Sequence, residues 1–282
     1  MAPWNASGLE NSQNLFVKRA QRFLAREIRI LALRWRSIIL NASQSVWKEG
    51  KSANPSLVEV IIPFPGDGRV SESKHKYYFR NLKKLLSHDL RRQTHTHFIA
   101  TVFCDGKSSA IRALIDQLGD LRMRYKFTDG QESNWGHVQT RIGILETDAD
   151  FIVRMNCDNK PFPEYLSVLL SGFTPNVDAT YGRVIYSGPA AREHLPTFLD
   201  YPNELAAFIL PKDQAGRLEF RNIDCMNYMV RSAAAKKNAM CWGQSFTADW
   251  DFINAFQKNE QEAVFVNRII GYKCLFMNVN NN

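Results

Sequence analysis

Hydrophobic positions recur along this chain first with a helical period and then in short runs of the length that strands need. Residues 14–40 place apolar side chains on one face of a helical wheel and basic side chains on the other, which predicts an amphipathic helix. Residues 41–56, rich in Ser, Lys and Asn, predict a linker. We therefore expect two parts, an N-terminal helix with its linker at 1–50 and a larger domain at 51–282.

Strand-type and helix-type segments alternate through the larger domain. Strands are predicted at 57–63, 98–103, 123–127, 151–155, 179–186 and 225–230. Helices are predicted at 77–88, 108–118, 138–146 and 249–257. Residues 188–222 are Pro-rich and carry no periodic pattern. This alternation predicts an α/β fold of three layers, with a mostly parallel central sheet between helices.

The positive charge of the chain is concentrated at one end. The net charge is +8, yet residues 14–40 hold seven basic residues and one acid, so the rest of the chain carries only +2. We therefore expect no nucleic-acid partner. The basic helix has two interpretations: contact with an anionic membrane surface, or packing on the larger domain with its basic face in water.

The cysteine content and the hydropathy of the chain favour a location inside the cell. The five cysteines are scattered and include no C-x-x-C pair, which argues against a zinc site or a disulfide framework. No signal peptide and no apolar stretch of about 18 residues is present. We expect a cytoplasmic protein, with peripheral attachment to the cytoplasmic membrane face if the basic helix binds lipid.

A polar cluster directly follows one of the apolar runs. The run at 151–155 stops at Asn156-Cys157-Asp158. Ligands of open α/β sheets bind at the carboxyl ends of strands, and a carboxylate there can hold a hard cation that in turn holds phosphate. The pattern indicates nucleotide-dependent transfer. A dinucleotide site or a P-loop is not supported, because Gly66-Asp67-Gly68 lacks the third glycine and no G-x-x-x-x-G-K-[ST] motif occurs.

Five segments in order, spread over residues 57–270, resemble the GT-A glycosyltransferases, and in particular the family 2-like inverting enzymes. They are VEVIIP, FIATVFCDG, NWGHVQTRIGIL, DFIVRMNCDNKPFP and ADWDFI. The resemblance implies a Rossmann-like half that binds a nucleotide sugar, continuous with a half that binds the acceptor. It also implies transfer of a sugar, with inversion, from a UDP-, GDP- or dTDP-sugar to a hydroxyl of a glycan, a lipid-linked saccharide or a protein.

The resemblance implies a set of donor-binding residues, some at strand ends and two in the NWGHVQTRIGIL segment, which approaches the donor. They are Pro63, Phe64, Asp105, Asn134, Arg141 and Asn156. Asp105 would hydrogen-bond the base of the donor; otherwise it is a turn residue before Gly106. Arg141 would pair with diphosphate oxygens, for which a planar guanidinium is suited; otherwise it forms a surface salt bridge.

The metal ligand implied by the resemblance is Asp158, which would hold Mn²⁺ or Mg²⁺ against the donor diphosphate. The chain departs from the family here, because Asn156 stands where the first acid of the D-x-D motif is expected. Weakened or absent metal dependence is one consequence of that exchange. The alternative for Asp158 is a cap of the following turn, with Asn159 beside it.

The catalytic base implied by the resemblance is Asp249, with Asp251 as the fallback. Ala248 replaces the Glu that the family carries before this aspartate. An inverting transfer needs one carboxylate to take the proton of the attacking hydroxyl. The alternative is that Asp249 caps a helix. Trp242 and Trp250 either stack on a sugar or belong to the core.

Two rival functions remain open at this point. Because Asn156 and Ala248 both replace acids, the domain could be a catalytically inactive GT-A-like binding module. A sugar nucleotidyltransferase is the second rival, but it needs a Gly-rich basic loop that the sequence after residue 65 matches only faintly.

Overall fold

The computed structural model describes residues 56–128, 136–187, 205–208, 224–243 and 247–274. The predicted helix at 14–40, most of the Pro-rich region and Asn134 lie outside these ranges. Within them, no helix has the length and apolar character needed to cross a membrane.

The first half of the sheet consists of four parallel strands with buried apolar residues on both faces. In spatial order they are β3 (Met123–Thr128), β2 (Phe98–Asp105), β1 (Val58–Pro65) and β4 (Phe151–Arg154). Burial on both faces explains the near-continuous apolar runs of the sequence. The predicted parallel arrangement is confirmed for these strands.

Helices cover both faces of the sheet and make two separate cores. The first face carries α1 (Glu72–Lys84) with the π-helical turn Leu85–Asp89, α2 (Ser109–Leu118) and α4 (Tyr165–Leu170). The second face carries α3 (His137–Glu146), α5 (Ser232–Asn238) and α6 (Ala248–Lys258). In α6 the apolar residues at positions 248, 252, 253 and 256 share one face, which packs into the second core. The α/β fold of three layers is confirmed.

The second half of the sheet is mixed. Its strands are β5 (Asn159–Pro161), β6 (Val177–Ser187), β7 (Leu205–Phe208), β8 (Tyr228–Arg231) and β9 (Glu262–Cys274). The full order is β3-β2-β1-β4-β8-β6-β9-β5, with β7 pairing with β6. β8 runs antiparallel to β4 and to β6, while β9 runs parallel to β6. Sequence patterns missed β5, β7, β9, α4 and α5, which are short or irregular in period.

The strand predicted at 225–230 begins later than expected. Cys225–Asn227 form a 3₁₀ turn, and β8 starts at Tyr228. The cause is a reciprocal cap: the Asp224 carboxylate accepts the Met226 N–H at 3.2 Å, while the Asn227 side chain accepts the Asp224 N–H at 2.8 Å. This turn matters for function, because it places Asp224 and Cys225 against α6.

Candidate active site

The candidate site lies where the connections of the sheet reverse direction. The chain moves outward from β1 through β2 to β3 and then returns to place β4 on the other side of β1. A crevice forms at the carboxyl ends of the strands at such a reversal, and ligands of open α/β sheets bind there. Asp105 ends β2, and the turn 156–159 follows β4, so both predicted donor-site acids lie at this edge.

Asp105 is a buried carboxylate that accepts no hydrogen bond within the described part of the chain. It is 3% exposed, and no described residue donates to either of its oxygens. Arg69 Nε lies 3.6 Å from Oδ2. Burial raises the pKa of Asp105, and the charge of Arg69 opposes that rise. Because buried polar groups are nearly always satisfied, this carboxylate indicates a place where a ligand N–H can bind.

Two glycines allow the loops at this edge to approach the strand ends closely. A Cβ on Gly66 would lie 1.7 Å from the carbonyl oxygen of Asp105. Gly136 has a φ of +74°, and a Cβ there would lie 2.3 Å from the Cβ of Pro63. Pro63 is therefore a wall against which the start of α3 packs.

The other predicted donor residues differ in their placement. Phe64 is 2% exposed, and its ring packs edge-on against His75 at 5.5 Å between centroids, so it belongs to the first core rather than to an open surface. Arg141 is half-buried on α3, and no ion pair joins it to a residue in the described ranges. Asn134 lies outside those ranges.

The turn after β4 is closed by Asn159 rather than by Asp158. The Asn159 side chain accepts the Asn156 N–H at 2.6 Å, and the Asn159 N–H donates to the Asn156 carbonyl at 3.0 Å. Asp158 is half-buried, and its Oδ1 is buried without a donor in the described part of the chain. The side-chain hydrogen bond of the turn is thus supplied by a neighbour, and Asp158 keeps an oxygen for another partner.

Asp249 lies in the first turn of α6, but its carboxylate turns away from that helix. Oδ2 accepts the Cys225 N–H at 3.3 Å, and Oδ1 lies 3.8 Å from Arg154 Nη1. The residue at the N-cap position is Thr247. The exposed Asp251 accepts a hydrogen bond from the Thr247 hydroxyl at 2.8 Å, so this second acid helps to fix the N-terminal end of α6.

Sequence reasoning missed three charged residues around Asp249, namely Arg154, Asp224 and Lys273. Arg154 ends β4 and Lys273 lies in β9. The Lys273 Nζ donates to Asp224 Oδ2 at 2.7 Å. All three are largely or fully buried. The available signal was a basic residue inside an apolar strand-type run, which is costly unless the charge has a partner.

The pKa values of the two acids in this cluster, Asp249 and Asp224, are shifted in opposite directions. Burial raises the pKa of Asp249, and the like charge of Asp224 adds to that, while Arg154 acts in the opposite direction. Burial also works against ionisation of Asp224, but the ion pair with Lys273 holds its pKa below the usual range. Two neighbouring carboxylates with opposite shifts indicate different roles.

Two aromatic predictions can now be placed. Trp242 is 1% exposed and donates its indole N–H to His137 Nδ1 at 3.1 Å, so it belongs to the second core. Burial, together with the charge of Arg154, lowers the pKa of His137 to about 4, so this ring is neutral. Trp250 is half-buried beside the same core.

A divalent cation fits Asp158 better than the acids near α6. Ligand atoms of Asp224, Cys225 and Asp249 lie within 4.8 Å of one another, but Lys273 and Arg154 already contact this group, and burial raises the pKa of the Cys225 thiol well above its usual range. By contrast, no residue in the described ranges donates a hydrogen bond to the buried Oδ1 of Asp158. Hard cations in phosphate sites commonly use one or two carboxylates together with the phosphates.

Comparisons with known proteins agree on the fold. No family model and no curated protein matches the sequence. Among solved structures, S. aureus TarS 1-349 in complex with UDP aligns with a TM-score of 0.54 at 12% identity, covering 77% of this chain and 60% of that one. Mannosyltransferase PcManGT from Pyrobaculum calidifontis, in complex with GDP-Man and Mn²⁺, aligns with a TM-score of 0.50 at 12% identity, covering 86% and 64%. The chain spans about three-fifths of the length of these proteins, and its fold is that of the GT-A glycosyltransferases.

Proposed function

We propose that this chain is an inverting glycosyltransferase that moves a sugar from a nucleoside-diphosphate sugar to a hydroxyl acceptor. The observation that carries the proposal is a series of three aspartates, Asp105, Asp158 and Asp249, each with a buried carboxylate oxygen that accepts no hydrogen bond from a described residue. Unsatisfied buried acceptors indicate ligands. In the sequence they stand at the motif positions to which the resemblance assigns base binding, metal binding and proton removal.

Donor binding is assigned to the half of the sheet that contains β1 to β4. Asp105 accepts an N–H of the base, while Pro63 and Gly136 form a close-packed wall beside it. Asn156, Asn134 and Arg141 complete the donor site. Asp158 is the ligand for Mn²⁺ or Mg²⁺, which when bound neutralises the diphosphate of a UDP-, GDP- or dTDP-sugar.

Sugar transfer is assigned to Asp249. Its carboxylate takes the proton of the acceptor hydroxyl as that oxygen forms a bond to the anomeric carbon. The bond between the anomeric carbon and the diphosphate oxygen breaks on the opposite face, and the nucleoside diphosphate leaves with the electron pair. The configuration at that carbon therefore inverts. The acceptor is a glycan, a lipid-linked saccharide or a protein.

The first test is thermal stabilisation of the chain by UDP, GDP, dTDP, CDP and their sugar conjugates, with and without Mn²⁺. A ligand at about 100 times its dissociation constant adds roughly 2.7 kcal/mol. One nucleotide should stabilise the protein, Asp105→Asn should abolish that effect, and Asp116→Asn on the exposed face of α2 should retain it. If no nucleotide stabilises the wild type, the donor site does not exist and the binding-module alternative gains.

Products then distinguish the chemistry. Release of nucleoside diphosphate on incubation with the bound donor supports glycosyl transfer, whereas release of pyrophosphate on incubation with a nucleoside triphosphate and a sugar 1-phosphate identifies a sugar nucleotidyltransferase. For the predicted basic helix at 14–40, we propose contact with an anionic membrane. Co-sedimentation of the full chain with anionic liposomes, lost on deletion of residues 1–50, supports that contact, and sedimentation that survives the deletion contradicts it.

A further inference from the structure

Arg154 is a buried charge that needs an explanation. It is the last residue of β4, only 5% exposed, in a strand whose other three residues are buried and apolar. A guanidinium in such a place is costly unless an anion compensates it. Despite the burial, which lowers it, neighbouring acidic groups raise the pKa of Arg154, so the side chain stays charged.

Neutral groups hold this guanidinium in one orientation. Its Nε donates to Thr140 Oγ1 at 3.3 Å, and its Nη1 donates to Cys225 Sγ at 2.8 Å. The ring of Trp242 lies 5.5 Å from the guanidinium carbon. The Cys225 thiol donates in turn to Asp224 Oδ1 at 3.2 Å, which leaves the sulfur free to accept from Arg154. These contacts aim Nη1 at Asp249 Oδ1, 3.8 Å away.

Building on the proposed function, we propose that Arg154 is the positioning residue for Asp249: from 3.8 Å it holds the carboxylate in place and keeps the base charged. Arg154 acts through Asp249 and not on the substrates. Without this cation, Asp249 would be a buried acid beside a second acid, and both conditions favour its protonated form, which cannot accept a proton.

Each of the two buried cations in this cluster is paired with a different acid. Three charged groups act on Asp249: Arg154 from β4, Asp224 from the cap of the 3₁₀ turn and Lys273 from β9, while the Cys225 N–H donates to its carboxylate. The Cys225 thiol and the Tyr228 hydroxyl also lie near it, and burial together with the charge of Asp249 raises the pKa of both. Lys273 is bonded to Asp224, so the two buried cations are matched to two acids.

The other titratable side chains near Asp249, which could also change its charge, are neutral or exposed to solvent. Burial raises the pKa of the Tyr228 and Cys225 side chains well above their usual ranges, and His137 facing Arg154 is neutral. On α6 itself, Asp251 is exposed and bonded to Thr247. Burial and the charge of Asp224 therefore favour the neutral form of Asp249, and Arg154 is the main group that favours its charged form, with a smaller contribution from Lys273.

The test is the pH profile of kcat/KM for donor hydrolysis or transfer, whose acidic limb reports the free base. Arg154→Met should move that limb to higher pH by roughly 1 unit or more, the size expected for loss of a charge within about 4–6 Å. Arg154→Lys should move it less. Asp224→Asn should move it to lower pH, because a like charge is removed, and a general loss of structure cannot produce shifts of opposite sign.

A second measurement is independent of turnover. The carboxyl ¹³C signal of Asp249, assigned by its loss in Asp249→Asn, should titrate at higher pH in Arg154→Met than in wild type and at lower pH in Asp224→Asn. If the Asp249 signal titrates at the same pH in all three proteins, the Arg154 role is wrong. If those shifts appear but the wild type binds no nucleotide, the proposed function fails while the hold of Arg154 on Asp249 stands.

Discussion

The two halves of the sheet handle buried charge in opposite ways. In the parallel half, Asp105 lies at a strand end with a half-exposed Arg69 3.6 Å away and no hydrogen-bond donor among the described residues. Around the mixed half, the acids face buried cations instead: Asp224 is bonded to Lys273 of β9, and Asp249 lies beside Arg154, which the parallel half contributes at the end of β4. An acid whose nearest cation is exposed suits ligand binding, whereas a network with buried cations holds a base at a defined charge.

The largest effect should come from Asp249. Asp249→Asn should lower turnover by roughly 10²–10⁴-fold, the usual contribution of a general base, while nucleotide binding in the other half is retained. Initial rates and nucleotide titrations on the same preparations separate the two. Asp251→Asn is the matched control, because that acid is exposed and bonded to Thr247. Near-normal turnover in Asp249→Asn together with inactive Asp251→Asn would show that the base is misassigned.

Removing one cation from each half should give very unequal losses of stability. Lys273→Met leaves Asp224 buried without its ion-pair partner and should lower the free energy of unfolding by about 3–5 kcal/mol. Arg69→Met removes a cation that is 39% exposed and should cost at most about 1 kcal/mol. Denaturant titration of both variants measures the difference. Equal losses would contradict the contrast between the halves.

Asp105 should lower the free energy of unfolding while it serves ligand binding. Burial raises its folded pKa above the unfolded value, so the folded state holds the proton more tightly and its stability falls as pH rises from the unfolded to the folded pKa. Asp105→Asn should therefore raise the free energy of unfolding at pH 7 by about 1 kcal/mol, the lower end of the cost of an unsatisfied buried group. Denaturant titrations at pH 7 and below the unfolded pKa should show this gain only at pH 7. A variant that is less stable than wild type at pH 7 would mean that Asp105 has a native partner.

Local periodicity was sufficient for the parallel half of the fold. β1 and β2 were predicted as apolar runs and proved two residues longer at their carboxyl ends, which makes Asp105 the last strand residue rather than a turn residue. The sequence pattern predicts a strand at the Cys225 turn, because Cys225 and Met226 continue the apolar run and the cap between Asp224 and Asn227 leaves no mark in that pattern. Such caps depend on side-chain geometry, which a hydrophobic pattern does not encode.

The sequence by itself determined the α/β class and the polar ends of β2 and β4, and it named Asp105, Asp158 and Asp249 as candidate site acids, because strand periodicity and short motifs are read from neighbouring residues. Only the tertiary structure decided that Phe64 and Trp242 are core residues, that Asn159 closes the turn beside Asp158, and that Arg154 and Lys273 face Asp249 and Asp224. The ion pairs join residues 49 or more positions apart. Their partners are set by which strands become neighbours in the sheet and by the requirement that each buried charge be compensated.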